Sequence, residues 1–343
     1  MSALTKFAAG MAAVAALVIV FPATAAAQNA SNTGNSQLTV TDAAGHSAHF
    51  FPTVELVPSL IAADSGPLLY NGGPIMPRVN IYSIFWKPAT LQNGKPANMS
   101  AAYRTILTNL AADYVGHAIS NNNTQYYQTV GGPTTYVSGL IANTAGNGSD
   151  EATYLDTQAY PTAGCTDPKT TKGNCITDTQ LQTELVRVMG VKDWTGGLDK
   201  IFVVYTASGE GSCFDTTENY CAYSYYCAYH SDIPGTVPVV YANMPYGNPT
   251  YCQEPSTPSP NANPAADTTA TAAAHEITES ITDPEPDTGW VTAQGNEIGD
   301  LCAYQYGTNG YDGALANQSW NGHFYELQMM FDNHGSGCEQ VGP

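Results

Sequence analysis

The chain has 343 residues, of which only 11% are charged, and 29 acidic side chains face 10 basic ones. So acidic a balance argues against nucleic acid and anionic lipid as partners, since both are held by basic footprints. The length allows one large domain or two small ones, with ample capacity for a buried core.

Residues 1–27, "MSALTKFAAGMAAVAALVIVFPATAAA", place one lysine, Lys6, before an uncharged apolar run to Phe21, followed by small residues through Ala27. That layout predicts a secretory signal peptide cut after Ala27. The run is short for an uncleaved membrane anchor, and the mature protein is expected to be exported, extracellular or periplasmic, and to stay off the membrane. Residues 28–65 are polar, rich in small residues and weakly patterned. They read as a loosely ordered leader in which His46 and His49 are solvated, with the folded domain spanning 66–343.

Strand signals follow. "RVNIYSIFW" (78–86) is a β-branched and aromatic run set between turn-forming residues, "KIFVVYTAS" (200–208) and "VPVVYANMP" (237–245) are similar, and "HFYELQMMF" (323–331) alternates. Short apolar runs of this kind predict a sheet covered on both faces. Helices are expected between them: 99–116 with Ser100 as N-cap, 177–190 stopping on a glycine, and one near 268–282 capped by Asp267 or Thr268 and ended before Pro284. The fold class is thus α/β (α+β), a single mixed-sheet domain with flanking helices. All eight cysteines lie beyond residue 164 and none forms a C-x-x-C pair. In an exported chain this predicts four disulfides, with Cys165–Cys175 and Cys302–Cys338 the preferred pairs.

The chemistry concentrates in "AAAHEITESITDP" (272–284). On a helix His275 and Glu279 stand one turn apart on one face, where an imidazole and a carboxylate can share a cation. Glu276 projects about 100° further round, the place of the general base in H-E-x-x-H sites. Glu279 replaces the second histidine; a carboxylate is an acceptable zinc ligand, but its charge makes other divalent cations more competitive. Downstream, "NEIGD" holds Glu297 and Asp300. It resembles the thermolysin-type N-E-x-x-S-D element, which implies Glu297 as third ligand and Asp300 as hydrogen-bond partner of the His275 ring. His230, in the tyrosine-rich "YCAYSYYCAYHSD" (220–232), is a further candidate for a transition-state hydrogen bond or an extra ligand, unless that stretch is a disulfide-pinned loop of packed aromatics. Neither a G-x-S-x-G nucleophile elbow nor a G-x-x-x-x-G-K-[ST] phosphate loop is present.

Taken in order, "LLYNGGPIMPRVNIYSIFW", "CAYHS", "AAAHEITESITDP", "EIGDLC" and "GCEQVGP" resemble elements of the Exordium-like, phosphate-induced family of secreted proteins. The resemblance runs from about residue 68 to the C-terminus. It implies an extracellular or wall-associated location and a family-wide H-E-x-x-E, but no defined activity. The expectation is a zincin-like metal helix in a zinc-dependent peptidase or related hydrolase: His275, Glu279 and Glu297 bind the metal, and Glu276, with His230, acts on a peptide or cell-wall substrate. The alternative is a non-catalytic secreted or cell-surface protein with a structural cation site, whose aromatic loops at 220–230 and 307–313 contact glycans or a protein.

Overall fold

The computed structural model describes residues 38–61, 64, 66–139, 147–335 and 337–342. The expected signal peptide lies outside the described residues. Among those described, no helix is long and apolar enough to cross a membrane.

A seven-stranded mixed sheet organises the fold. Its strands are β1 (Thr39–Thr41), β2 (Ser47–Pro52), β3 (Asn80–Trp86), β4 (Thr153–Asp156), β5 (Lys200–Thr206), β6 (Tyr226–Ile233) and β7 (Val239–Met244), in the order β1-β2-β6-β7-β5-β3-β4. The half from β7 to β4 is parallel; the half from β1 to β7 is antiparallel. The parallel strands are the near-continuous apolar runs anticipated from the sequence, as burial on both faces requires.

The leader reading is corrected by β1 and β2. "SAHFFP" (47–52) alternates, with Phe50 packed among Phe214 and Tyr229 on one face and Phe51 stacked on the His275 ring, 4.1 Å between centroids, on the other. No domain boundary falls near residue 65, because β2 pairs with the central strand β6. The strand expected at 323–331 is instead two short pieces, His323–Tyr325 and Met330–Asp332, in small two-stranded sheets outside the main one.

Among the described residues three long helices cover the sheet. In α1 (Ala101–Asp113) the Ser100 hydroxyl accepts from the Tyr103 N–H, as the cap signal predicts. α2 (Asp178–Lys192) starts with a Thr177/Gln180 capping box. It runs through Gly190 and ends on Asp193 in the left-handed region (φ 54°), not on the glycine. α3 (Pro264–Thr282) starts earlier than Asp267, because Asn263 takes the cap and Pro264 suits the first turn. Every residue of α3 from Ala266 to Thr282 is buried, and its run of alanines lets neighbouring backbones approach closely on all sides.

Four disulfides are present, Cys165–Cys175, Cys213–Cys221, Cys227–Cys252 and Cys302–Cys338, and both preferred pairs are among them. The Cys227–Cys252 bridge pins the start of β6, and Cys302–Cys338 fixes the segment that follows Asp300.

Candidate metal centre

Alternation along β6 decides what faces what. Tyr229 and Ser231 point to the α2 side, while His230 points at α3. On β2 the same rule turns His49 and Phe51 toward α3, and His230 pairs directly with His49 across the two strands. Glu297 and Asp300 arrive from the loop after α3. The result is a layer of three histidines and four carboxylates, His49, His230, His275, Glu276, Glu279, Glu297 and Asp300, each with 0% exposure.

Glu279 Oε1 lies 3.0 Å from His275 Nε2 and accepts from the Gly299 N–H at 3.2 Å. Gly299 stands where the resembled motif has serine, and for good reason: a Cβ there would sit 2.6 Å from His275 Nδ1 and 2.8 Å from Glu279 Oε1. His230 Nε2 meets the Asp283 carbonyl at 3.1 Å, and its Nδ1 lies 3.0 Å from Glu276 Oε2 and 3.8 Å from Glu279 Oε2. Glu297 Oε1 stands between two imidazoles, 3.2 Å from His49 Nδ1 and 3.7 Å from His230 Nε2.

Asp300 differs from its expected role. Its Oδ2 accepts from His49 Nε2 at 2.8 Å and from the Glu297 N–H at 2.7 Å, while its nearest approach to His275 is 3.8 Å. The His275 Nδ1 partner is the Gln328 amide at 2.9 Å. That amide also donates to the Gly299 carbonyl at 2.8 Å, so His275 Nδ1 accepts and its proton sits on Nε2, toward Glu279. Asn296 turns away to Asp64 (2.7 Å).

Two groups of ligating atoms converge within 4.8 Å: His230, Glu279 and Glu297, and His49, Glu279 and Asp300. The structure thus brings the predicted Glu279 and Glu297 together with His230. His275 lies beside both groups, its Nε2 3.0 Å from Glu279 Oε1. The sequence reading left His49 solvated, although the adjacent Phe50 and Phe51 of "SAHFFP" offered a strand signal. A third convergence, of Cys165, Cys175 and Cys213, has no thiolate to offer because all three sulfurs are in disulfides.

The electrostatics follow from burial. Desolvation raises the pKa of Glu276 to about 8 against the nearby histidines, and lifts Glu279 and Glu297 well above the carboxylate range, with neighbouring acids adding to the effect. Burial likewise lowers His275 and drives His230 well below the usual imidazole value, helped by the charge of His49. For His49 burial also lowers the value, but Asp300 overcomes it by charge and hydrogen bond, and the net result is about 10. Six polar atoms of the cluster have no hydrogen-bond partner: His275 Nε2, Glu276 Oε1, Glu279 Oε2, both Glu297 oxygens and Asp300 Oδ1. Unpaired buried carboxylate oxygens are costly, and a cation is the usual remedy.

No family model, curated protein or solved structure matches the chain. The functional reading therefore rests on these residues.

A cleft of about 270 Å³ is lined by Ser47, Asp232, Glu285 and Thr288 among others, and by none of the seven cluster residues. Ser47 and Asp232 are two residues from His49 and His230 on the same strands, and so share their sheet face.

Proposed function

We propose that the protein is an exported metalloprotein whose divalent cation, zinc by donor type, is held between the sheet and α3 by His230, Glu279 and Glu297. The observation that carries this is the set of buried carboxylate oxygens around His230 that lack any donor. His230 fits the part of a ligand: its Nε2–H donates to the Asp283 carbonyl, which leaves Nδ1 as the lone-pair nitrogen facing Glu276 and Glu279, while Glu297 approaches the other edge of the ring, 3.7 Å from Nε2. The four disulfides support an oxidising compartment, and with it export.

The residue types suit hydrolysis of a peptide or other acyl bond. A bound cation supplies Lewis-acid polarisation and a more acidic water. Glu276, raised toward neutrality by burial and 3.0 Å from His230, is placed to take a proton and pass it on. The cleft at Ser47, Asp232 and Glu285 is the approach for substrate. In this reading Glu276→Gln keeps metal and fold but lowers turnover of a peptide library by about 10²–10⁴-fold; full activity in that variant excludes Glu276 as the base.

One observation favours a second reading, a structural cation. All seven side chains are completely buried, and structural sites are closed where catalytic ones keep an open position. Then Glu276→Gln changes no turnover, while removal of metal lowers stability all the same.

A further inference from the structure

We infer that the centre holds two cations, not one, with Glu279 as the carboxylate shared between them. The inference rests on the metalloprotein reading above and extends it.

The two convergent groups, His230–Glu279–Glu297 and His49–Glu279–Asp300, have one member in common. Neither is a loose assembly of surface acids, since every member is fully buried. The histidines come from adjacent strands, directly paired in register, and their rings are 5.7 Å apart, one for each group. Glu297 reaches toward both histidines, at 3.2 and 3.7 Å, which ties the two groups into one site. Among the orphaned atoms Glu297 Oε1 faces both histidines, Glu279 Oε2 lies 3.8 Å from His230 Nδ1, and Asp300 Oδ1 lies 3.8 Å from His275 Nε2.

In the structure the N–H that His49 shares with Asp300 at 2.8 Å holds the second position. Binding there replaces that proton, which goes to solvent, and frees Nε2 as a ligand, the ordinary exchange of proton for metal at a histidine. Two carboxylate-bridged cations clamp an oxygen nucleophile and a leaving oxygen, which suits displacement at an acyl or phosphoryl centre.

The test is zinc titration of the full-length, disulfide-intact protein, with bound metal measured by mass spectrometry after desalting. The expected result is two equivalents per chain, falling to one in Asp300→Asn and in His49→Ala, to one in His230→Ala, and to neither site filled in Glu279→Ala. Near-ultraviolet dichroism checks that each variant is folded, and the isosteric Asp300→Asn carries the conclusion should His49→Ala fail to fold. With manganese in place of zinc, the paramagnetic resonance spectrum is expected to show spin coupling between two ions. One equivalent in the parent protein overturns the two-cation site and leaves the single-cation reading standing. Two equivalents without coupling overturn the shared Glu279. No bound metal overturns both readings.

Discussion

The two faces of strand β6 bury acidic groups by opposite means. On the α2 face Asp178 receives the hydroxyls of Tyr229 and Tyr241, each at 2.7 Å, and the Gln182 amide at 2.6 Å, with His46 at 3.4 Å. On the α3 face, one residue along the same strand, His230 meets three glutamates that share too few donors. Burial lifts the carboxyl pKa on both sides, for Asp178 against the pull of His46 and the tyrosine hydroxyls. The difference is satisfaction: Asp178 has its donors within the protein, and the second group keeps carboxylate oxygens that no donor among the described residues meets. Burial of acids alone does not mark a candidate cation site; unmet acceptors gathered around histidines do.

The largest expected effect separates the faces by chelation. Removing a cation present at a thousandfold its dissociation constant takes away about 4 kcal/mol of stability. The melting temperature of the metal-loaded protein is therefore expected to fall by roughly 5–10 °C in chelator, by scanning calorimetry. An unchanged transition removes the contrast between the faces.

A buried acid with neither donors nor histidines offers an intermediate case. Both oxygens of Glu210 lack partners, and burial raises its pKa from 4.5 to about 8. The folded chain then keeps a proton that the unfolded chain releases. The contribution is intact below pH 4.5 and is lost as pH rises through about 8. Glu210→Gln is expected to stabilise the protein by about 1–3 kcal/mol at pH 8 and to do little at pH 4. Equal denaturation midpoints for the two proteins at pH 8 would show that Glu210 has a hidden partner.

The smallest effect belongs to the satisfied face. Tyr229→Phe removes one donor from Asp178 and is expected to cost about 1 kcal/mol in urea denaturation while leaving metal content untouched. Loss of metal in that variant would mean that the two faces are coupled through the strand.

Much of this arrangement was written in local sequence. The apolar runs at 78–86, 200–208 and 237–245 became β3, β5 and β7 because parallel central strands have no solvent face to encode. Spacing along a helix placed His275 and Glu279 one turn apart, and both lie in the cluster. What local patterns did not carry was the pairing of distant strands. His49 sits in a polar, small-residue stretch, and only its register against β6 turns it into a neighbour of His230. Asp300 was assigned to the wrong imidazole for the same reason, since His49 lies 251 positions away in the chain and captures it first. The tautomer of His275 depends on Gln328, another long-range contact, which sequence spacing along α3 does not reveal.

The most direct measurement is anomalous diffraction at the zinc absorption edge from crystals grown with zinc. Metal peaks are expected between β2, β6 and α3, about 2.0–2.2 Å from His230 nitrogen and from Glu279 and Glu297 oxygens. Well-ordered His230, Glu279 and Glu297 side chains with no anomalous peak among them would contradict the account.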